Sequence, residues 1–273
     1  MQWDGSKWET EIGEDEKSVR PNKLDYIITG IPRSGTSLLS AILTESENSV
    51  CFNEIHYPVQ TLPLFFSEMR TRISNELPVY MKLDKNSNLT TDTQNNGGNF
   101  GTVIFKDKCD KNLRLGSKVT DPYLRRIEEI LGLGYKVVFM IRNPIYSIKS
   151  WNSVNASKSP LGRVDGLNQH RRWNRFGFSD ESRLLRHVKI WDYYAEIIKS
   201  NSDDCLVIKY EDLVMNVVET LDKICKYLDI KKPSEIPKLV NGNLKYKHED
   251  ILSIKEELGI NSELMLDFGY QES

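Results

Sequence analysis

One segment constrains this chain more than any other: an apolar run, a glycine-bearing loop and a helical pattern, in that order. Residues 24–29 (LDYIIT) are mostly apolar and β-branched, which is typical of a buried strand. Residues 30–37 (GIPRSGTS) contain two glycines and a proline, and residues 38–43 return to apolar side chains at helical density. A strand, a tight loop and a helix in this order predict an α/β unit in which the helix N-terminus faces the loop.

The rest of the chain continues the alternation of strands and helices. Residues 135–141 (YKVVFMI) have the clearest buried-strand pattern, and residues 103–105 and 205–210 are two further candidate strands. A helix is predicted to begin at Asp121, directly before a proline, and to end at the glycines of 132–134. The pattern predicts an α/β chain with a three-layer, P-loop-NTPase-like fold, in which helices flank a mostly parallel central sheet.

Length and composition limit the domain organisation and the partners. The 273 residues fit one large domain, which we place at 24–273, behind a polar N-terminal leader at 1–23 that has no signal-peptide or membrane-span pattern. A net charge of −2 argues against a polybasic nucleic-acid surface, so any anion site must be local. The cysteines are widely spaced without a CxxC pair, which favours core thiols over a disulfide or a metal site. We expect a soluble, cytoplasmic protein without nucleic-acid or membrane partners; its oligomeric state stays open.

The loop after the first strand resembles a Walker A loop in its two glycines, but Thr36 stands where such a loop carries its lysine. Backbone N–H groups at the helix N-terminus can still bind an anionic oxygen. These groups belong to Ser34, Gly35, Thr36 and Ser37. Arg33 adds a guanidinium, whose planar fork of donors suits a phosphate or a sulfate. The alternative is an ordinary strand-to-helix turn with a surface arginine.

A second arginine stands at the end of the clearest strand. Arg142 follows residues 135–141, at the strand end where open α/β sheets bind ligands, and Ser150 comes eight residues later. With this pair the chain resembles the sulfotransferases that use 3′-phosphoadenosine 5′-phosphosulfate (PAPS), and in motif form it is most similar to tyrosylprotein and bacterial members. The resemblance implies that Arg142 and Ser150 bind the 3′-phosphate and that residues 32–37 form the 5′-phosphosulfate loop. Tyr210 resembles the tyrosine that family members use against the adenosine end of the donor.

The resemblance also implies a reaction. A sulfuryl group would pass from PAPS, the donor cosubstrate, to an acceptor hydroxyl (tyrosyl, carbohydrate or small molecule) by in-line displacement. Because a sulfuryl group carries less charge than a phosphoryl group, arginine, lysine and backbone donors can stabilise its transfer, and we predict no metal requirement. Arg33 is one predicted catalytic residue. Lys106, directly before Asp107, resembles the lysine that steadies the leaving oxygen in tyrosylprotein enzymes.

The acceptor hydroxyl needs a general base within hydrogen-bond reach. Glu54 is the first candidate, because it follows Arg33 by 21 residues, as in the tyrosylprotein enzymes, and Cys51 matches their Cys-x-x-Glu pattern. His56 is the second candidate, since an unperturbed histidine has a pKa of about 6.5. The sequence therefore favours a glutamate base and leaves histidine as the alternative.

Two features depart from the cytosolic small-molecule members of the family. Lys108 stands where those members carry a histidine after the catalytic lysine, and their C-terminal Arg-Lys-Gly segment is absent, with Lys245 or Lys247 as a candidate replacement. Residues 152–182 mix basic and aromatic side chains and form a candidate acceptor lid. Two other functions stay open: a P-loop small-molecule kinase, and a non-catalytic binder of 3′-phosphoadenosine nucleotides. The acceptor's identity is not indicated.

Overall fold

The computed structural model describes most of the chain, in ranges separated by short gaps. The described residues are 2–3, 8–9, 20–55, 57–83, 99–108, 112–152, 183–236, 238–246, 252, 254–256 and 263–270. The strands among them are β1 (Gln2–Trp3), β2 (Trp8–Glu9), β3 (Tyr26–Gly30), β4 (Ser49–Asn53), β5 (Val79–Leu83), β6 (Asn99–Val103), β7 (Arg114–Lys118), β8 (Lys136–Ile141) and β9 (Leu206–Lys209). The α-helices are α1 (Thr36–Thr44), α2 (Leu62–Ser74), α3 (Asp121–Leu124), α4 (Ile127–Gly132), α5 (Pro144–Asn152), α6 (Arg183–Ser200), α7 (Tyr210–Met215), α8 (Val217–Leu228) and α9 (Leu264–Asp267). Two 3-10 turns lie at Val59–Thr61 and Gly242–Lys245.

Five strands form one parallel sheet in the order β4-β7-β3-β8-β9. Central strand β3 pairs on one side with β7, where Ile28 lies opposite Lys118, and on the other side with β8, where Ile28 lies opposite Val138. All five residues of β3 are buried, as expected for a strand covered on both faces. The predicted α/β fold with a parallel sheet flanked by helices is confirmed.

The two faces of the sheet bury two separate apolar clusters. Ile27 of β3 belongs to the cluster under α2 to α6, and the next residue, Ile28, belongs to the cluster under α1, α7 and α8. Alternate side chains of a strand point to opposite faces, so this single step along β3 separates the two layers of helices. Each fully buried Leu, Ile or Phe contributes about 1.5–3 kcal/mol, so these layers carry the stability and leave the strand ends available for function.

The strand order creates a crevice at the carboxyl edge of the sheet. After β3 the chain passes through α1, on one face, to edge strand β4; after β8 it passes through α5 and α6, on the other face, to the opposite edge strand β9. Strands that the chain leaves in opposite directions open a crevice outside their carboxyl ends, where ligands bind in open α/β sheets. The segments that follow β3 and β8 contain the two predicted anion-binding arginines.

Some elements differ from the predictions. Residues 103–105 are not a central strand: β6 ends at Val103 and pairs with β5 in a separate antiparallel ribbon. The helix predicted from Asp121 is two short helices, α3 and α4. Cys51 and Cys225 are buried free thiols, Cys205 is half-buried, and Cys109 lies outside the described residues. No helix in the described ranges is long and apolar enough to cross a membrane.

Candidate active site

The loop between β3 and α1 is held in a shape that few residues adopt. At Gly30 (φ 150°), a Cβ would lie 2.1 Å from the carbonyl oxygen of Met140, so only glycine permits this close approach to β8. The N–H of Ile31 then donates to the same carbonyl at 3.0 Å. Arg33 has φ 72°, in the left-handed region that a non-glycine residue enters at an energetic cost. The loop is thus fixed against β8 with Arg33 in a strained backbone conformation.

The N-terminus of α1 retains open hydrogen-bond donors. Its N-cap, Gly35, has no side chain to cap the helix, so the first N–H groups of α1 have no partner within the helix. The N–H of Ser34 is used inside the loop, where it donates to Ile31 at 3.1 Å. The Ser34 side chain is fully buried, and its Oγ has no hydrogen-bond partner among the described residues. Ser34 therefore offers its hydroxyl, rather than its predicted N–H, to an anion in the loop.

Two arginines from different loops contact each other, and one of them contacts a buried serine. Arg33 Nε donates to Oγ of Ser150 at 2.8 Å, and Arg142 Nη1 donates to the carbonyl oxygen of Arg33 at 2.9 Å. Ser150 lies on α5 and is 1% exposed. We call this group, with the residues that hold Arg142, the arginine cluster. Its members are Arg33, Arg142, Ser150, Tyr210, Glu211 and Asn243.

Side chains from the C-terminal third of the chain orient Arg142. Oδ1 of Asn243 accepts from both Nε and Nη2 of Arg142, at 2.8 and 2.5 Å. Nδ2 of Asn243 donates to Glu211 at 3.0 Å, and the other carboxylate oxygen of Glu211 accepts from the Tyr270 hydroxyl at 3.2 Å. The backbone N–H of Asn143 also donates to Glu211, at 3.2 Å. The guanidinium of Arg142 is therefore fixed by an amide whose oxygen and nitrogen are both hydrogen-bonded.

Tyr210 lies between the loop and Arg142. The Arg142 guanidinium stands 4.4 Å from the centroid of its ring, which is a cation–π contact, and its hydroxyl accepts from the N–H of Gly242 at 2.9 Å. A Cβ on Gly35 would lie 2.6 Å from the same ring, so a glycine is required here for the close approach. The described contacts of Tyr210 thus join the loop, Arg142 and the turn at Gly242–Lys245.

A second charged group lies at the ends of β4, β5 and β7. Lys118, the last residue of β7, is 2% exposed, and its Nζ donates to Ser37 Oγ at 3.0 Å and to Glu54 Oε1 at 3.2 Å. Lys82 of β5 donates to the other oxygen of Glu54. The N–H of Glu54 donates to the carbonyl of Lys118 at 2.7 Å, which holds Glu54 at the sheet edge. We call Ser37, Glu54, Lys82 and Lys118 the lysine cluster.

The lysine cluster alters the acidity of its members. Burial by itself would raise the pKa of Glu54, but the ammonium groups of Lys118 and Lys82 outweigh it and lower that pKa to about 2. Burial lowers the pKa of Lys118, and the Glu54 carboxylate opposes that change. Glu54 is therefore ionised at neutral pH, between two cations. Within the described ranges, no group of three or more His, Cys, Asp or Glu side chains is placed to hold a metal ion.

Comparison with known proteins identifies the family of this chain. The sequence model described as the Sulfotransferase family matches residues 26–234. This range includes the whole lysine cluster and every member of the arginine cluster except Asn243. The chain belongs to the sulfotransferase family.

Individual relatives agree with this membership at low identity. Sulfotransferase 2A6 of Rattus norvegicus is 27% identical over 135 residues, 48% of this chain and 42% of the relative. The 3-alpha-hydroxysteroid sulfotransferase of Cavia porcellus is 30% identical over 101 residues, 37% of this chain and 33% of the relative. The matched segment thus spans less than half of each curated relative. Among solved structures, the sulfotransferase domain from the curacin biosynthetic pathway superposes with a TM-score of 0.50 at 17% identity, covering 92% of this chain and 99% of that domain, which supports the fold.

The fold brings most of the predicted site residues to one edge of the sheet. The loop residues follow β3, Glu54 follows β4, Arg142 follows β8 and Tyr210 follows β9. The carboxyl ends of parallel strands share an edge, so these residues converge although the sequence separates them. Their roles toward a donor remain predictions.

Lys106 is not part of this convergence. It is exposed, three residues beyond the end of β6, whereas Lys82 reaches Glu54 from the opposite end of the β5–β6 ribbon. Two residues after Lys106, the Lys108 ammonium donates to carbonyls of Ser46 and Ser49, each at 2.7 Å, beyond the C-terminus of α1. The loop lies at the other end of α1, about 13 Å away at 1.5 Å per residue. Among the described contacts, Lys118 is the lysine that reaches Ser37 and Glu54, and the catalytic role expected of Lys106 remains a prediction.

Several predicted features lie outside the described residues or at the margin of the site. His56, Lys247 and residues 153–182 of the candidate lid are outside the described residues. Lys245 lies 5.0 Å from the centroid of the Tyr246 ring, and that ring stacks on Tyr146 with centroids 6.3 Å apart.

Sequence reasoning missed Lys118, Lys82 and the residues that hold Arg142. β7 reads RLGSK and has one strongly apolar residue, so it carries no strand pattern of its own. A usable signal was nevertheless present: the helix start predicted at Asp121 requires a preceding strand to end near Lys118. Asn243 is 101 residues from its partner Arg142, and no local pattern could have indicated it.

Proposed function

We propose that this chain transfers a sulfuryl group from PAPS to the hydroxyl of an acceptor. The observation that carries the proposal is the meeting of Arg33 and Ser150 at 2.8 Å, across 117 residues of sequence, beside Arg142. PAPS is anionic at its 3′-phosphate and at its 5′-phosphosulfate, and the arginine cluster offers one arginine from each of two loops. Family membership supports the same donor class.

The residues present fit such a donor. The open N–H groups of α1 and the unpartnered hydroxyl of Ser34 supply hydrogen bonds for the 5′-phosphosulfate. Arg142 uses three of the five N–H bonds of its guanidinium on Asn243 and Arg33, so among the described residues two remain for the 3′-phosphate, which Ser150 would share. A nucleotide with both anionic groups would use both sets of donors.

Lys118 and Glu54 of the lysine cluster and Arg33 of the arginine cluster each have a role in this reaction. Bound PAPS supplies the sulfuryl group: the bond from sulfur to the 5′-phosphate oxygen breaks, its electron pair stays on that oxygen, and the acceptor oxygen bonds to sulfur. Lys118 stabilises the charge on the leaving oxygen, the role that the sequence had suggested for Lys106. Arg33 orients the phosphosulfate. Glu54 accepts the hydroxyl proton, so the acceptor loses a proton as it gains the sulfuryl group.

The basicity of Glu54 depends on where Lys118 points. With both ammonium groups beside it, the pKa of Glu54 is about 2, too low for an effective base at neutral pH. A leaving oxygen that draws the ammonium of Lys118 away removes one of the two cations that lower this pKa. The pKa of Glu54 would then rise, and the carboxylate would become a stronger base when the donor is in place.

A hydroxyl is the acceptor group that this arrangement suits. A carboxylate base beside the transferred group assists removal of a hydroxyl proton, and the name of the Cavia porcellus relative gives a hydroxysteroid as that protein's substrate. For this chain we propose only that the acceptor carries a hydroxyl group, and not that it is a steroid.

The proposal is tested by titrating the metal-free protein with 3′-phosphoadenosine 5′-phosphate (PAP) and by measuring PAP release from PAPS with a panel of hydroxyl acceptors. Binding of PAP without magnesium, together with acceptor-dependent release, is the expected result. Glu54→Gln should keep PAP binding and lower the transfer rate by about a hundredfold or more, since general-base catalysis contributes about 10²–10⁴-fold.

The outcomes separate the alternatives. Preference for ATP with magnesium over PAP would replace the proposal with a kinase. Binding of PAP without any PAPS turnover, for all acceptors tested, would indicate a non-catalytic nucleotide binder. Unchanged transfer by Glu54→Gln, beside normal wild-type activity, would move the base to His56.

A further inference from the structure

Asn53, the last residue of β4, is a buried amide without a hydrogen-bond partner. It is 6% exposed, and neither its Oδ1 nor its Nδ2 has a partner in the described part of the chain. A buried amide that gives up its bonds to water and gains none in return is destabilising, so native structures rarely keep one without a reason. The unused donors and acceptor of Asn53 therefore point to a ligand.

The sheet register shows where this amide lies. Asn53 pairs with Lys118 across β4 and β7, and register partners in a parallel sheet point to the same face. Cys51, two residues earlier, packs in the cluster under α1, so Asn53 and Lys118 both face the helix whose N-terminus forms the loop. Lys118 contacts Ser37 on that helix, at 3.0 Å. Asn53 is thus beside the lysine that we place at the leaving oxygen, and directly before Glu54.

The surroundings favour an anion as the partner of Asn53. The neighbouring Lys118 ammonium is a donor, and the N–H groups at the start of α1 are donors as well. An oxygen that accepts from these groups can also accept from an amide N–H. Glu54, the proposed proton acceptor, is the next residue, which places Asn53 near the atoms that react rather than near the 3′-phosphate.

We infer that Asn53 is a further catalytic residue, whose Nδ2 donates a hydrogen bond to a sulfuryl oxygen of the bound donor. This inference rests on the proposed function. The sulfuryl oxygens gain contacts as the group passes between leaving and attacking oxygens, so a fixed donor lowers the barrier to transfer. PAP lacks the sulfuryl group, and Asn53 makes no contact with it.

Asn53→Leu tests this assignment, because leucine is similar in size and cannot hydrogen-bond. We expect PAP affinity within about twofold of wild type, PAPS affinity lower by about tenfold, and PAPS turnover lower by about a hundredfold. The thermal midpoint of the nucleotide-free protein should be unchanged or higher, since an unsatisfied amide has been removed. A purely structural asparagine would instead lose stability and leave the PAPS-to-PAP affinity ratio unchanged.

Asn48→Leu is the matched control, directly before the other end of the same strand. Asn48 is also buried, at 5% exposure, but its Oδ1 accepts from the N–H of Lys231 at 2.8 Å. This variant should lose thermal stability and keep the wild-type PAPS-to-PAP ratio. Asn53→Asp, which keeps the shape and replaces the N–H donors with oxygen, is the second variant if Asn53→Leu does not fold, and it should lower PAPS affinity by at least about tenfold.

Each outcome bears on the inference. A wild-type PAPS-to-PAP ratio in a folded Asn53→Leu or Asn53→Asp protein, beside an active wild type, overturns the role of Asn53 and leaves the proposed function intact. Absence of both PAP and PAPS binding in the wild type overturns the proposed function and the inference together. Selective loss of PAPS affinity and turnover supports both.

Discussion

The arginine cluster and the lysine cluster lie on the same edge of the sheet but differ in how their polar groups are satisfied. In the arginine cluster, Arg142 is held by Asn243 and by the carbonyl of Arg33, and Asn243 is held in turn by Glu211. In the lysine cluster, two ammonium groups share one carboxylate, and the buried amide of Asn53 beside them has no partner among the described residues. Without a ligand, Arg142 is already fixed by its neighbours and keeps two N–H bonds for an anion, whereas the amide beside the lysine cluster has no hydrogen bond among the described residues.

This difference matches two distinct tasks. A site that binds a nucleotide phosphate gains from guanidinium groups fixed in advance, because less conformational freedom is lost on binding. A site that transfers a group needs hydrogen-bond donors that are fully used only when charge moves in the reaction. We therefore expect substitutions in the arginine cluster to change affinity, and substitutions in the lysine cluster to change rate.

The largest expected effect is on the rate of transfer. Lys118→Met removes the ammonium group that we place at the leaving oxygen, and loss of one such donor lowers a rate by about 10²–10³-fold. PAP affinity should stay within about threefold of wild type, because the arginine cluster is unchanged. Steady-state PAPS turnover and a PAP titration measure the two quantities.

Lys106→Met is the matched control, since Lys106 is exposed and comes two residues before Lys108, whose ammonium contacts carbonyls beyond the C-terminus of α1. It should leave turnover unchanged within about twofold, as exposed substitutions away from the site change stability by no more than about 0.5 kcal/mol. Loss of turnover in Lys106→Met with normal turnover in Lys118→Met would reverse the assignment of the two lysines.

The next effect, on affinity, concerns Arg142. Arg142→Ala should weaken PAP binding by about 10- to 100-fold, because a hydrogen bond to a charged group contributes about 1.5–3 kcal/mol. Adenosine 5′-phosphosulfate, which lacks the 3′-phosphate, should lose much less affinity. Calorimetric titration with both nucleotides gives the ratio directly.

Arg114→Ala separates this specific effect from loss of a buried arginine. Arg114 is as buried as Arg142, at 6% exposure, but it lies at the start of β7, where its Nε donates to the carbonyl of Asp229 at 3.1 Å. It should lower the unfolding temperature and keep the nucleotide ratio. Equal losses of both nucleotides in Arg142→Ala would mean that Arg142 supports the fold of the loop rather than the 3′-phosphate.

The two clusters also differ in how far the sequence could predict them. The arginine cluster follows two strands with strong apolar patterns, and a glycine-bearing loop and an Arg142–Ser150 spacing mark it locally. The lysine cluster gathers at the ends of β4, β5 and β7, which are short and partly polar in sequence, and their pairing depends on contacts between distant segments. The lysine for the leaving oxygen was therefore predicted at position 106, two residues before Lys108, which contacts carbonyls beyond the C-terminus of α1.

Glu54 could be predicted, but its environment could not. The spacing from Arg33, as in the tyrosylprotein enzymes that the sequence resembles, made Glu54 a candidate, whereas the two lysines that contact it come from other strands, 28 and 64 residues away. Its low pKa is a property of that three-dimensional grouping. The same grouping leads to the last and smallest effect, which concerns pH.

The pH dependence of kcat/KM reports the pKa of the base in the free enzyme. Because the pKa of Glu54 is lowered to about 2, its carboxylate stays ionised as the pH falls from 8 to about 5, and kcat/KM should show no acid limb in that range. A histidine base would lose activity near its pKa of about 6.5. Circular dichroism at each pH shows whether the protein remains folded.

Lys82→Met sharpens this test, because it removes one of the two cations that lower the pKa of Glu54. The pKa of Glu54 should rise in this variant, so the acid limb of the kcat/KM profile should move to higher pH. At neutral pH, kcat/KM should change by no more than about fivefold, since partly exposed ion pairs contribute about 0.2–1 kcal/mol. The lowered pKa of Glu54 stabilises the folded protein above the ordinary glutamate pKa, and this stabilisation is lost as the pH falls toward 2. Lys82→Met should therefore also reduce the difference in unfolding temperature between neutral and acidic solution. An acid limb near 6.5 that does not move in Lys82→Met would transfer the role of base from Glu54 to His56.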